Sequence, residues 1–174
     1  QFISTEYIFK WTVIPNNVDA DLVTKFIRQA QDMNIQQVLG HDLYFKLMND
    51  YSTTSTTTGK YLELMQNYVM PAQSEWTVYH SLPFIWARIS NKSLVKKDSD
   101  NSNPTDLNEM QYIREQSRNS AEYYTQRITE FISNNQDSFP EYWTVTGNNR
   151  IRPKRDSYSS GIYTGKSIGG NRYY

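Results

Sequence analysis

Residues 106–135 read DLNEMQYIREQSRNSAEYYTQRITEFISNN, and the spacing of their apolar members decides the fold. Leu107, Met110, Ile113, Ala121, Tyr124, Ile128, Phe131 and Ile132 fall on one face of a helix with 3.6 residues per turn. Asp106 followed three residues on by Glu109 is a capping-box start, and Asn134-Asn135 marks the end. Glu109, Glu115, Glu122 and Glu130 share the rest of the surface with Arg114, Arg118 and Arg127. That pattern reads as a solvated face laced by i, i+3 and i, i+4 ion pairs, not as a catalytic pair of carboxylates. An apolar stripe this long must be covered by other helices.

The covering helices lie upstream. Leu22, Phe26, Ala30 and Met33, flanked by Val23 and Ile27, repeat at helical spacing behind a cap at Asn17 or Asp19. From Ile35 to Met48 the apolar positions continue, but Gly40 divides them into a short turn and a helix from about Asp42. Tyr61, Leu64, Met65 and Tyr68 form a third stripe, which Pro71 is expected to end or restart. Ala72, Trp76, Tyr79 and Trp86 carry a further stripe to Ile89, bent at Pro83. Residues 3–13 favour a short helix capped by Ser4 or Thr5 over a strand. The polar stretches 52–58 and 90–104 are expected to be loops. The sum is an all-α bundle of about five helices, with Phe26, Leu43, Trp76, Trp86, Tyr124 and Ile128 expected in its core.

Composition narrows the function more by exclusion than by indication. The chain has 174 residues, enough for one packed domain, and its aromatic share of 14% argues against general disorder. It has no cysteine, which removes disulfides, thiolate metal sites and cysteine nucleophiles. No apolar run approaches the about 20 residues that span a bilayer. No secretory leader opens the stretch, and its start at Gln1 leads us to expect a few residues upstream. His41 and His80 lack any partner at zinc-ligand spacing, so His41 is expected to be exposed and His80 packed. Gly165-Lys166-Ser167 imitates the end of a phosphate loop, yet Ser160 stands where that loop requires glycine. Trp76, Tyr79 and Trp86 read as core rather than as a base-stacking platform. Neither an enzyme nor a cofactor is expected.

Charge separates two regions. Residues 147–174 carry a balance of +5 and five of the seven glycines, whereas residues 1–146 carry −5. The C-terminal region has no helical period and few aliphatic residues, so we read 1–146 as the helical domain and 147–174 as an extended, irregular arm. Arg150, Arg152, Lys154 and Arg155 give the arm its charge, and Tyr158, Ile162, Tyr163, Ile168, Tyr173 and Tyr174 are its candidate anchors on a partner. One reading makes this arm the phosphate-contacting part of a small helical nucleic-acid-binding module.

Ordered landmarks favour another reading. Asn17-Val18-Asp19, Phe26-Ile27, Ala30-Gln31-Asp32 and Val38-Leu39-Gly40-His41-Asp42-Leu43-Tyr44 are followed by Tyr68-Val69-Met70-Pro71, Trp76, Leu82-Pro83 and Asn91-Lys92. Ala121-Glu122-Tyr123-Tyr124, Arg127-Ile128 and Phe139-Pro140-Glu141-Tyr142 complete the series. In this order and spacing the chain, from about Ile3 to Tyr142, resembles the head–tail connector (adaptor) proteins of tailed bacteriophages, in particular those of crAss-like and related Bacteroidetes phages. Ser93 stands where that family often has glycine. The resemblance implies a structural virion protein of the neck, assembled in the bacterial host cytoplasm. It also implies a homo-oligomeric ring, a dodecamer, that meets the portal protein on one side and tail or further neck proteins on the other. Genomic DNA would pass through its lumen without sequence-specific binding, and no membrane, metal or catalytic residue is implied.

Overall fold

Ser4 adopts extended backbone and its hydroxyl accepts the Tyr7 amide at 3.2 Å, which starts helix α1, Thr5–Trp11. Asp19 caps α2, Ala20–Ala30, in the same way through the Asp21 amide at 3.1 Å. That hydrogen bond, with the Arg88 guanidinium at 3.4 Å, holds the Asp19 carboxyl below the usual carboxylate range. The computed structural model describes residues 1–52, 58–95, 107–144 and 151–153. They continue with α3 (Gln36–Leu39), α4 (His41–Ser52), α5 (Gly59–Leu64), α6 (Met70–Val95), α7 (Leu107–Asn134) and α8 (Pro140–Trp143). No strand occurs among the described residues, and the fold is all-α.

Two joints are continuous where the sequence suggested breaks. Gln31–Ile35 and Met65–Val69 are π-helical turns, closed by the Gln36 amide on the Gln31 carbonyl and the Met70 amide on the Met65 carbonyl. Helix α2 therefore runs into α3 as one rod, and α5 into α6 as another, which leaves about six helices among the described residues. Pro71 neither ends nor restarts a helix, contrary to expectation. Its missing amide falls just after the wider turn, where the ordinary i−4 pairing has already been displaced. Helix α6 also continues through Pro83 and on to Val95, so residues 90–95 are helical rather than the start of a loop. The rest of that expected loop, most of the 52–58 loop and the Asp106–Glu109 capping box lie outside the described residues.

Each π turn inserts one residue and so rotates the downstream apolar stripe by about 100°. That rotation turns Met33 outward, at 51% exposure, and Ile35, Val38 and Leu39 inward. Helix α6 packs against both α2 and α7. Leu39, Leu43, Leu47, Leu64, Val69 and Ile128 form one core with Phe2, Phe139 and Tyr142, while Ile8, Val23, Ile27 and Val78 form a second. Met70 touches both. Of the six expected core residues Phe26, Leu43 and Ile128 are buried, but Trp76, Trp86 and Tyr124 are only half-buried. Trp76 keeps its polar edge at the surface of the bundle, where the indole N–H donates to Thr125 Oγ1 at 3.0 Å. Ile113, expected to face inward, is also exposed. Helix α7 ends as the sequence indicated, with Asn135 Nδ2 donating to the Phe131 carbonyl at 2.8 Å.

Between α3 and α4, Gly40 has a φ of +73°, a conformation natural to glycine. The turn also receives the C-terminal segment. The His41 amide donates to the Ile151 carbonyl at 2.9 Å, and Pro153 lies directly over Gly40. Residues 151–153, which fall within the expected arm of 147–174, are thus seated on the chain's own helical body.

Candidate functional site

Of the arm residues singled out from the sequence, Arg152 is described, and it is exposed beside the Gly40 turn. Arg150, Lys154, Arg155, Tyr158, Ile162, Tyr163, Ile168, Tyr173 and Tyr174 lie outside the described residues.

The first π turn places Gln31 inside the bundle. Gln31 Oε1 accepts the Phe2 amide at 3.1 Å and Gln73 Nε2 at 3.2 Å, and Gln31 Nε2 donates to the Tyr44 hydroxyl at 2.7 Å. Gln73 Nε2 also donates to the Ile27 carbonyl at 3.2 Å. Burial pushes the Tyr44 hydroxyl above its ordinary value. The network fastens the N-terminal residues to α2, α4 and α6. It is invisible in sequence because Gln31 and Gln73 are far apart and a buried carboxamide has no periodic signature.

A cleft of about 420 Å³ opens beside it, between α3, α6 and α7. Its walls are Asn34, Gln37 and Val38 on one side, Trp76 on α6, and Glu122, Thr125, Gln126 and Thr129 on α7. Carboxamides and hydroxyls thus converge on a space within the size range of ligand pockets. At the rim Arg118 Nε pairs with Glu122 at 2.8 Å, and Gln126 Nε2 donates to Glu130 at 2.8 Å. His80 is packed behind it, as expected, with Nε2 2.9 Å from Asn34 Oδ1 and its ring stacked on Trp76. Burial and the Arg114 charge hold the His80 imidazole below its ordinary value. His41 departs from expectation, since its ring is half-buried against Phe45 at 4.4 Å.

The charged face of α7 divides by partner. Arg118 pairs with a carboxylate, as the spacing suggested, whereas Arg114 lies 4.3 Å over the Tyr79 ring. Arg127 sits 5.1 Å from the Tyr68 ring centre and 5.8 Å from that of Tyr123. These two arginines therefore stack on aromatic rings, across to α6 and its π turn. Elsewhere Lys46 bridges Asp50 and Glu141, and Glu141 accepts the Tyr61 hydroxyl at 2.9 Å, which fastens α8 to α4 and α5. Burial, reinforced by Glu141, raises the Tyr61 hydroxyl well above its usual value. No group of three or more metal-ligating side chains occurs among the described residues. None of the described helices is long and apolar enough to cross a membrane.

Compared with known proteins, residues 35–152 match the model of a family described as a family of unknown function, DUF6712. The match begins at the end of the first π turn and runs through α8 to the segment seated on Gly40. No curated protein and no solved structure matches the chain.

Proposed function

The chain belongs to the DUF6712 family, and we propose that it is a structural subunit of a phage neck, a ring-forming head–tail adaptor that joins the portal to the tail around the DNA channel. One observation carries the reading. Large apolar side chains are exposed on several elements of an otherwise well-packed body: Trp11 (63%) on α1, Phe84 (58%) on α6, and Tyr112 (66%) and Tyr123 (58%) on α7. Phe84 continues outward from Phe26, 5.1 Å away on α2, while Tyr112 and Ile113 are neighbours at the start of α7. A subunit of a closed ring meets its neighbours head-to-tail, so apolar side chains exposed on more than one element suit it.

The landmarks of the resemblance fall on structural joints and not on a reactive cluster. Asp19 caps α2, Gly40 makes the turn under Pro153, Tyr68 to Pro71 span the second π turn, and Phe139 to Tyr142 enter α8. The acidic balance of residues 1–146 suits a lumen through which DNA slides without being gripped. The arm from 147 onward would add contacts to a neighbouring subunit, the portal or a tail protein. Co-purification with the portal of the same phage tests the reading: a complex with the adaptor as a collar on one end of the portal is expected. No complex at micromolar concentrations would count against it.

A further inference from the structure

We propose that the cleft between α3, α6 and α7 is a binding site for a neutral sugar, a single pyranose unit such as a hexose or an N-acetylhexosamine. Its walls are two helix faces. Asn34, Gln37 and Val38 stand at i, i+3 and i+4 on one, and Glu122, Thr125, Gln126 and Thr129 at i, i+3, i+4 and i+7 on the other. Packed helices ordinarily meet through apolar residues at such positions. Here most of them are polar, and a space of about 420 Å³ takes the place of a closed seam. The π turn at Gln31–Ile35 sets the register of the first wall, and turns of this kind are frequent at functional sites.

The groups left over for a ligand both donate and accept. With Asn34 Oδ1 accepting the His80 Nε2–H at 2.9 Å, Asn34 Nδ2 remains as a donor. The side chains of Gln37 and Thr129 make no hydrogen bond among the described residues. Gln126 donates to Glu130 through Nε2, which leaves its Oε1 to accept. Sugar hydroxyls, each a donor and an acceptor, match such a mixture. Trp76, fixed by its bond to Thr125 and its stack on His80, joins Val38 as the apolar part of the lining, which suits the C–H face of a pyranose. Glu122 alone among the lining residues is charged, and Arg118 pairs with it, so the cleft favours a ligand without charge. The inference stands on the cleft and does not depend on ring formation.

Saturation-transfer NMR and calorimetry on the full-length chain test it, with D-glucose, D-galactose, D-mannose and N-acetylglucosamine as probes. At least one should bind with a millimolar dissociation constant, the scale expected of a ligand of about a dozen non-hydrogen atoms. Gln37→Ala and Thr129→Val break no hydrogen bond among the described residues, and each should weaken that binding about three- to tenfold. Gln111→Ala, at an exposed position outside the cleft, should leave it unchanged. Circular dichroism checks each fold. Absence of binding by all four sugars, or affinity unaltered in both cleft variants, would overturn the proposal. Tighter binding of D-glucuronate than of the best neutral sugar would overturn it too, and so would tighter binding of N-acetylglutamine amide, a neutral peptide-like probe.

Discussion

Pro153 occupies the space that a side chain on Gly40 would need: a Cβ built there would lie 2.6 Å from Pro153 Cδ. The two residues are far apart in sequence, and the contact joins the C-terminal segment to the corner between α3 and α4. It gives Gly40 two independent reasons to be glycine, its positive φ and the approach of the proline ring.

Gly59 separates those reasons. Its φ is +60°, yet none of the described residues lies within 4 Å of the position its Cβ would take. Gly59→Ala should cost only the backbone term, about 1–2 kcal/mol. Gly40→Ala should cost more, and hydrogen exchange should show lost protection of the His41 amide, which donates to Ile151. Equal losses of stability in urea would mean that the Pro153 contact contributes nothing.

Gln31→Leu should loosen the N-terminus. It removes the acceptor of the Phe2 amide and the donor to Tyr44, and each buried group left unpaired costs about 1–3 kcal/mol. A lower urea midpoint with faster exchange of the Phe2 amide is the expected result. A midpoint like that of the unaltered chain would show that the network is dispensable.

His80 makes stability depend on pH. Its folded-state value lies below the ordinary 6.5, so the unfolded chain takes up the proton first as pH falls. Stability should therefore decline from about pH 6.5 downward, until the folded ring titrates as well. Glu75 works in the opposite sense, because burial raises its value and the folded chain binds that proton first. His80→Gln isolates the histidine contribution: urea melts across this range should lose part of their downward slope. An unchanged slope would remove His80 from the explanation.

DNA affinity distinguishes the adaptor from the nucleic-acid-binding module. An adaptor should bind duplex DNA weakly. A module anchored by Arg150, Arg152, Lys154 and Arg155 would lose roughly 0.9 log unit of affinity per log unit of salt for each phosphate neutralised. Titrations at two salt concentrations, repeated after charge reversal of those four residues, provide the comparison. Tight binding with a steep slope that the reversal abolishes would favour the module.

Where the sequence could be read, a local rule was enough. Ser4 and Asp19 cap helices because a short oxygen-bearing side chain can reach an amide two or three residues ahead. Gly40 ends a helix for an equally local reason, and so does Asn135, whose side chain reaches back to the Phe131 carbonyl. Two of the misreadings share a cause. Met33 and Pro71 were judged on an uninterrupted 3.6-residue period, and the two π turns shift that period by one residue each. Trp76, Trp86 and Tyr124 lie on apolar stripes, but a stripe does not say how fully its neighbours cover it. The cleft was not legible at all, since its walls come from three helices and its lining is mostly polar. Residues 151–153 looked like part of a free arm because only the fold brings Gly40 beneath them.

The central claim is that identical subunits close into a ring. The most direct measurement is the solution mass of the purified full-length chain, with particle images, alone and mixed with its portal. The account predicts a closed ring with an open central channel, of twelve subunits if the resemblance holds, formed by the chain alone or on the portal. A monomer under both conditions, or an open filament in place of a ring, would contradict it.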